Sequence, residues 1–379
     1  MRRLPCFFLI PLLVSTVIAQ DHPHFNVLLR LDYSSAEKTV EVYHGLSGHP
    51  DEIASLRGSQ IALATTALLA RRALDLPMLE RSLDAAKFNQ SLDDDVFRMK
   101  EARANVAAIK ELLLEVQRRN FGQRVTSTVE QIFPQDARVV TSIPMYFVAF
   151  GHENIDAYVR RVVWHGDTPM FVGENEGELT IVVNLAKAVR YGRTTTERLE
   201  GLLSVVAHEV FHAAFGVYKE GSPVWREYYA DHASYLDRLL DLTQNEGIAY
   251  YLSMLQQYHG RDLPAFSEQA PGVFAEFNRN AAELLSSRIN NRRASDIIGR
   301  ANTSGYWQSF GSITGMFIAR EIDEQLGRTA LVETIAAGPA DFFGKYVSLM
   351  KRDSNIPSLS APILGYLENR KSSTPGQLR

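Results

Sequence analysis

Two histidines one helical turn apart are the feature that most constrains this chain. The segment from His208 to His212 reads His-Glu-Val-Phe-His. Thr194 and Glu197 fit a capping box, which predicts that a helix begins there and continues to Gly216. The two histidines project together from the side of this helix that faces away from its aliphatic stripe. The stripe consists of Leu199, Leu202, Leu203, Val206, Val210 and Ala213.

This spacing is typical of a metal-binding helix. Two imidazoles at positions i and i+4 can share one tetrahedral Zn²⁺ ion, each through a nitrogen about 2.0–2.1 Å from the metal. Glu209 projects about 100° from His208, near enough to take a proton from water without binding the metal itself. A catalytic zinc site also needs a third protein ligand. The metzincin pattern would supply it shortly after His212, but Phe215 and Tyr218 stand at the required positions.

Residues 245–249 contain the first candidate for that third ligand. They read Asn-Glu-Gly-Ile-Ala, with the carboxylate at Glu246. This run resembles the N-E-G-[FL]-A segment in which gluzincin metallopeptidases carry their glutamate ligand, and Tyr251 falls where aminopeptidases of that clan often have an aromatic residue. Asn245 could cap a new helix, with Glu246 in its first turn. Gly247 would let this backbone approach the metal helix closely.

Glu227 is the second candidate. It opens the run Glu-Tyr-Tyr-Ala-Asp, which is similar to the E-x-x-x-D ligand run of other gluzincins, where Asp231 would orient a ligating histidine. Pro223 would begin this helix, so Glu227 would lie in its second turn. Spacing alone does not choose between the two glutamates. We take Glu246 as the predicted ligand, because the glycine after it permits close backbone approach, and keep Glu227 as the alternative.

The resemblance to gluzincins implies a further site residue. A tyrosine behind the glutamate often stabilises the oxyanion in that clan, and Tyr306 is our candidate, with Tyr250 and Tyr251 as alternatives. The G-x-M-E-N run of gluzincin aminopeptidases is absent, because residues 181–186 read Ile-Val-Val-Asn-Leu-Ala. The pattern as a whole is similar to that of a group of zinc-dependent peptidases of unknown substrate.

That resemblance implies a peptidase whose substrate is a peptide or protein. Zn²⁺ would be the cofactor, bound by His208, His212 and Glu246, and Glu209 would serve as general base and then as general acid. Residues 179–185 would form a strand beside the cleft whose open edge adds a substrate peptide. The alternative function is a noncatalytic exported helical binding module in which zinc is structural or vestigial. Structural zinc sites usually have four ligands and many cysteines, which favours the catalytic interpretation here.

Hydrophobic periodicity predicts an α+β fold that is mainly helical. The resemblance to gluzincins implies that this fold is zincin-like. A helical region occupies residues 20–134, and a metallopeptidase region with a helical C-terminal lobe occupies 135–368. Residues 369–379 are predicted to be a flexible tail. Short β-branched and aromatic runs predict a small, mostly antiparallel sheet before the metal helix, including a hairpin that pairs residues 170–172 with 179–184.

The first nineteen residues predict an export signal. Arg2 and Arg3 precede an apolar run that ends in Val-Ile-Ala at residues 17–19, a pattern that signal peptidases cut. The run is shorter than the ~20 residues that span a bilayer. Removal of residues 1–19 would leave a periplasmic or extracellular protein with no membrane segment. Cys6, the sole cysteine, would leave with the signal, so the exported chain would have no disulfide.

Composition narrows the remaining classes of function. The chain of 379 residues is 45% hydrophobic and 22% charged, which excludes disorder over most of its length. It has 40 Lys and Arg residues against 44 Asp and Glu residues, for a net charge of −4. Nonspecific binding to a phosphate backbone requires a basic surface, so a nucleic-acid partner is not expected.

Overall fold

A computed structural model describes residues 25–373 except for 47, 93, 174–175, 232, 259–265 and 304–306. The predicted signal at residues 1–19 lies outside the described residues. The predicted fold class is confirmed, because helices dominate and one small sheet precedes the helix that contains His208 and His212. The strands are β1 Phe25–Asp32, β2 Val139–Val148, β3 Ala157–His165, β4 Thr168–Phe171 and β5 Glu178–Asn184.

The helices form two groups in the chain, one between β1 and β2 and one after β5. The first group comprises α1 Ser34–Tyr43, α2 Pro50–Ser55, α3 Arg57–Ala70, α4 Leu76–Lys87, α5 Met99–Ala104, α6 Val106–Arg118 and α7 Phe121–Glu130. The second comprises α8 Leu185–Ala188, α9 Thr195–Gly221, α10 Pro223–Asp231, α11 Tyr235–Tyr258, α12 Phe266–Leu284, α13 Asn291–Thr303, α14 Phe310–Leu326, α15 Arg328–Ala337, α16 Pro339–Met350 and α17 Ala361–Ser373. Helix α17 therefore continues into the segment predicted to be a tail.

The sheet is mixed rather than mostly antiparallel. Within the described residues its order is β1-β2-β5-β3-β4. The pairs β1/β2 and β2/β5 are parallel, and the pairs β5/β3 and β3/β4 are antiparallel. Strand β1 comes from the region predicted to be mainly helical, and it pairs with β2 after the intervening helices α1–α7. Parallel pairing needs such a long connection, which local sequence patterns do not reveal.

Strand β3 overturns two expectations about the cleft. The predicted hairpin between residues 170–172 and 179–184 is wrong, because β3 lies between β4 and β5. Strand β5 is not an edge strand among the described residues, because β2 pairs with its residues 181–184 on one side and β3 pairs with its residues 178–183 on the other. Among the described residues, the outer strands of the sheet are β1 and β4.

Helix α9 follows its predicted course and then exceeds it. The capping box is confirmed: Glu197 N donates to Thr194 Oγ1 at 3.2 Å, and Thr194 N donates to Glu197 Oε2 at 3.1 Å. The helix ends at Gly221 rather than at Gly216. It is also long and apolar enough to cross a membrane, but its most apolar 18-residue window is 61% buried inside the protein, as in a core helix. The predicted aliphatic stripe supplies that buried face.

Helix α11 begins earlier than the sequence predicts. Ser234 and Asp237 cap each other, with Asp237 N donating to Ser234 Oγ at 3.1 Å and Ser234 N donating to Asp237 Oδ2 at 3.2 Å. Asn245 and Glu246 consequently lie in the middle of the helix, so the prediction that Asn245 caps it is wrong. The glycine after Glu246 also has a different role. Gly247 meets Gly315 of α14, and a methyl group on Gly247 would be only 2.7 Å from the Gly315 carbonyl oxygen.

Polar contacts fix α9 against α11 at two places, one before His208 and one after His212 along α9. Ser204 Oγ donates to the Ser253 carbonyl at 2.9 Å, and Ser253 Oγ donates to the Ser204 carbonyl at 3.0 Å. Toward the other end, Lys219 Nζ lies 2.5 Å from Asp241 Oδ1. Both side chains of this ion pair are largely buried, with exposed fractions of 9% and 20%. The two helices run antiparallel, so these contacts set the register at which their intervening residues meet.

We expect Lys219→Met to destabilise the fold by about 2 kcal/mol. The substitution keeps the aliphatic stem against Phe215 and Trp225, whose ring centroids are each 4.3 Å from the Lys219 ammonium, but leaves the Asp241 charge without its cation. Urea denaturation measures the loss. Lys38→Met is the matched control, because Lys38 pairs with Glu52 at an exposed site and should cost less than about 0.5 kcal/mol. Equal effects of the two substitutions would contradict this role for Lys219.

Candidate metal centre

Helices α9 and α11 bring the two histidines and one candidate glutamate together. One ligand atom from each of His208, His212 and Glu246 lies within 4.8 Å of the others. The two imidazole Nε2 atoms are 2.9 Å apart. Glu246 Oε2 is 3.6 Å from His208 Nε2 and 3.4 Å from His212 Nε2. No second group of this kind occurs in the part of the chain that the structure describes.

The shape of this group fits a tetrahedral zinc ion. An ion about 2.0–2.1 Å from each ligand atom keeps any two of those atoms roughly 3.3–3.4 Å apart at the tetrahedral angle. The carboxylate to imidazole distances of 3.6 and 3.4 Å agree with that separation, and the 2.9 Å between the imidazoles is a few tenths of an ångström shorter. Two imidazole nitrogens and one carboxylate oxygen are also a donor set that catalytic zinc sites use.

Asn245 determines which nitrogen of His212 faces this group. His212 Nδ1 lies 3.1 Å from Asn245 Oδ1, and an amide oxygen can only accept a hydrogen bond, so Nδ1 is the donor. In the neutral imidazole, Nε2 then keeps its lone pair for a metal ion. Helix α11 thus has two roles at adjacent residues. Glu246 is a candidate ligand, and Asn245 orients His212 of α9.

Asn302 of α13 orients Glu246 in a similar way. Asn302 Nδ2 donates to Glu246 Oε1 at 2.7 Å, which occupies that oxygen and leaves Oε2 toward the imidazoles. Ser312 of α14 donates from Oγ to Asn302 Oδ1 at 2.8 Å, and this contact holds the amide in the donating orientation. Ser309 Oγ donates to the Asn302 backbone carbonyl at 2.9 Å. The carboxylate is therefore positioned by two further helices.

Replacing Asn302 by Ala should weaken zinc binding about 10- to 100-fold, the range found when a partner that orients a metal ligand is removed. The loss arises because Glu246 can then rotate away from the imidazoles. Competition with a chelator measures the zinc dissociation constant. Ser312→Ala, which only loosens Asn302, should give a smaller change. If Asn302→Ala bound zinc as tightly as the unaltered protein, this orienting role would be wrong.

The electrostatics of the group favour a bound cation. Burial would lower the pKa of His212, but the negative charge of Glu246 and its hydrogen bond raise that pKa to about 9. Burial would also raise the pKa of Glu246, but the imidazoles of His212 and His208 hold it well below its usual range. Both shifts express attraction between the carboxylate and positive charge placed beside it. A divalent ion that displaced the imidazole protons would be attracted by the same carboxylate.

Glu209 lies next to the metal group and has a perturbed pKa. It follows His208 on α9 and is partly buried, and it is not a member of the metal group. Burial raises the pKa of Glu209, and the charge of Glu246 adds to this rise, although the imidazoles of His208 and His212 oppose it. A carboxylate with a raised pKa accepts protons more readily near neutral pH.

One comparison with known proteins identifies the family. Residues 51–355, most of the chain, match the model of the family described as "Putative zinc dependent peptidase (DUF5700)". The chain belongs to this family. The matched range includes α9, α11 and α13, and therefore every residue of the metal group and Asn302. No curated protein matches the chain, and no solved structure matches it.

The other candidate ligand of this DUF5700 chain lies elsewhere. Glu227 is exposed on α10 and is not a member of the metal group. Asp231, which would have oriented a histidine in that arrangement, is also exposed. Helix α10 buries Trp225, whose indole nitrogen donates to the Ile335 carbonyl at 2.8 Å. The residue that α10 directs inward is therefore an aromatic anchor, and its glutamate faces solvent.

The three tyrosine candidates have different positions. Tyr306 lies outside the described residues. Tyr251 is buried and donates to Asp323 Oδ2 at 2.6 Å. Tyr250 lies beside the metal group, with its ring nearly perpendicular to that of His208 and the centroids 4.8 Å apart. Burial and the charges of Glu246 and Glu209 raise the pKa of Tyr250 to about 12, so its hydroxyl keeps a proton to donate near neutral pH.

Asn302 and Ser312 are the site residues that the sequence did not reveal. Asn302 lies near the end of α13, 56 residues after Glu246, and nothing in its local sequence marks it as a polar partner for a ligand. Ser312 belongs to an otherwise buried, largely apolar stretch of α14. A buried serine in such a stretch is the available signal, because buried hydroxyl groups need partners.

Proposed function

We propose that this chain is an exported zinc-dependent peptidase in which His208, His212 and Glu246 hold the metal and Glu209 is the general base. The observation that carries the proposal is the group of three ligand atoms beside Glu209. Membership in the DUF5700 family supports a peptidase in general. The roles of the individual residues, the gluzincin class and export are parts of the proposal, and export rests on the sequence of residues 1–19.

The side chains divide the reaction among them. Zinc, when bound, supplies a Lewis acid that polarises the scissile carbonyl and makes water more acidic. Glu209 accepts a proton from the attacking water and later gives it to the leaving amine, so one carboxylate acts as base and then as acid. Its raised pKa suits both tasks. Tyr250, whose ring packs against that of His208, would donate a hydrogen bond to the developing oxyanion.

The number of ligands separates this proposal from a structural zinc site. Structural sites are usually closed by four protein ligands. Within the described residues, the group has three protein ligands, all from α9 and α11. Three ligands leave a coordination position for water or substrate, which supports the catalytic function over a noncatalytic binding module.

Profiling cleavage of a mixed peptide library tests the proposed function. The protein without residues 1–19 is loaded with zinc, and cleavage products are identified by mass spectrometry. We expect peptide-bond hydrolysis that a chelator abolishes and added zinc restores. His208→Ala should lose both zinc and hydrolysis. Stoichiometric zinc without cleavage of any peptide would favour the noncatalytic alternative.

A further inference from the structure

A groove runs away from the metal group along one side of α9. It has a volume of about 510 Å³ and begins at His212 and Asn245. One wall comes from the sheet, at Val159, Arg161 and Leu179. The remainder is formed by α9, α10 and α11 and includes Gly216, Lys219, Glu220, Arg226, Tyr229 and Asp241. The groove therefore connects the candidate metal site with a polar end formed by α10 and the last turn of α9.

Gly216 keeps the middle of this groove open. It lies inside α9, where glycine is about 1 kcal/mol less favourable than alanine. A Cβ atom on Gly216 would meet no described heavy atom within 4 Å, so packing does not require glycine at this position. The Gly247–Gly315 crossing is different, because there a Cβ atom would collide with backbone. The space beside Gly216 belongs to the groove, and a side chain there would fill it.

The charge available at the polar end is positive. Both acidic residues of the groove already have partners: Glu220 Oε1 accepts from Arg161 at 2.9 Å, and Asp241 pairs with Lys219 at 2.5 Å. Tyr229 also donates to Asp241 Oδ2, at 2.9 Å.

Arg226 has no carboxylate partner among the described residues. One of its guanidinium nitrogens donates to the backbone carbonyls of Glu220 and Gly221, at 3.2 and 3.4 Å. These bonds tie one guanidinium nitrogen to the end of α9, and the other guanidinium nitrogens have no hydrogen-bond partner among the described residues. A fixed arginine with unused donors is suited to bind a carboxylate, which can accept two of its hydrogen bonds.

We propose that the Arg226 end of the groove binds a carboxylate of the substrate, either a Glu or Asp side chain or the C-terminal carboxylate of a peptide. The inference rests on the proposed peptidase function and names its substrate class. Glu220 lies eight residues after His212 on α9, which corresponds to about 12 Å at 1.5 Å per residue. An extended peptide spans about 3.4 Å per residue. The carboxylate is therefore recognised about three to four residues from the scissile bond.

Matched peptide pairs test this subsite. One pair differs only by Glu or Gln at the third or fourth residue from the cleaved bond, and the other differs only by a free or amidated C-terminus. Cleavage is measured with the zinc-loaded protein, and binding is measured by fluorescence anisotropy with zinc-loaded Glu209→Gln protein. If the library yields no cleaved sequence, the binding pairs are built on a neutral peptide that contains Glu or Gln at one position.

We expect the carboxylate form of one pair to be preferred about tenfold, and Arg226→Ala to remove that preference. Preference within the Glu and Gln pair would identify a side chain, and preference within the free and amidated pair would identify the C-terminus. Arg81→Ala, which removes an exposed arginine of α4, should leave either preference unchanged. Equal binding within both pairs, or a preference that survives Arg226→Ala, would overturn the subsite.

Gly216→Leu supplies an independent test of the groove. Because its side chain would enter open space, we expect unchanged zinc content and an unchanged or higher melting temperature, together with at least a tenfold loss of peptide binding. Gly299→Leu, at a position of α13 that is also open, is the matched control and should bind normally. Normal binding by Gly216→Leu would overturn the inference.

Cleavage without carboxylate preference would refute the subsite alone, and binding with preference but without cleavage would refute the peptidase function alone.

Discussion

Glu209→Gln should bind zinc as the unaltered protein does and lose about a thousandfold in kcat/KM. The amide has nearly the same size and shape as the carboxylate but cannot accept a proton from water, and general base catalysis contributes about 10²- to 10⁴-fold. Because Glu209 is not among the ligand atoms that surround the ion site, zinc content should not change. Rates on a cleaved peptide and zinc analysis of the same sample measure the two quantities.

Glu200→Gln is the matched control for this change. Glu200 lies on the same helix and pairs with Arg124 at 2.8 Å, away from the metal group. Its substitution should alter kcat/KM by less than about twofold, because Glu200 is not part of the metal group. The fold should also be little affected, since a partly exposed ion pair contributes little to stability. If Glu209→Gln retained zinc and also retained more than about a tenth of the activity, another group would have to act as the base.

Gly315→Ala should destabilise the fold by at least about 3 kcal/mol, at the upper end of the range for overpacked interiors. A methyl group at Gly315 would overlap the Thr243 carbonyl oxygen and lie 2.8 Å from Gly247 Cα. Both contacts are with backbone, so no side-chain rotation can relieve them, and α14 must move away from α11. Glu246 lies between Thr243 and Gly247 at this crossing, so zinc affinity should fall together with stability.

Urea denaturation and zinc titration test the crossing directly. Gly299→Ala is the control, because no described atom lies within 4 Å of a Cβ at that helical position. It should be neutral or stabilise the protein by up to about 1 kcal/mol, as expected for alanine in a helix. Equal midpoints for Gly315→Ala and the unaltered protein would mean that the two helices do not meet through these glycines.

The parts of the fold that local chemistry determines were predictable from the sequence. The capping box at Thr194 and Glu197 and the aliphatic stripe of α9 depend on residues three or four positions apart, and the structure contains both. Placing His208 and His212 on one face needs only the helical repeat. The sequence predictions of local structure and the observed structure therefore agree best where a single helix carries the information.

The remaining features depend on contacts between distant segments. Strand β1 is recognisable only through its parallel pairing with β2. The start of α11 was misplaced because Asn245 is a good cap by type, whereas Ser234 and Asp237 form the cap that the chain uses. Asn302 reaches Glu246 only through the packing of α13 and α14 around α11. Single-residue preferences do not contain such information, because tertiary packing outweighs them.

Gly247 illustrates a correct observation with a different physical cause. The glycine after Glu246 predicts close approach of the backbone to α9, and a close approach does occur at this glycine. The partner is α14 at Gly315 rather than α9. The packing of α14 against α11 nevertheless serves the site, because α14 carries Ser312, which holds the amide of Asn302.

Anomalous diffraction at the zinc absorption edge tests the central claim most directly. For zinc-loaded crystals of the protein, we predict one peak about 2.0–2.1 Å from His208 Nε2, His212 Nε2 and a carboxylate oxygen of Glu246. Crystals of His208→Ala protein should lack that peak. A peak bound instead by Glu227, or no peak within bonding distance of both imidazoles, would contradict the proposed metal centre and the mechanism built on it.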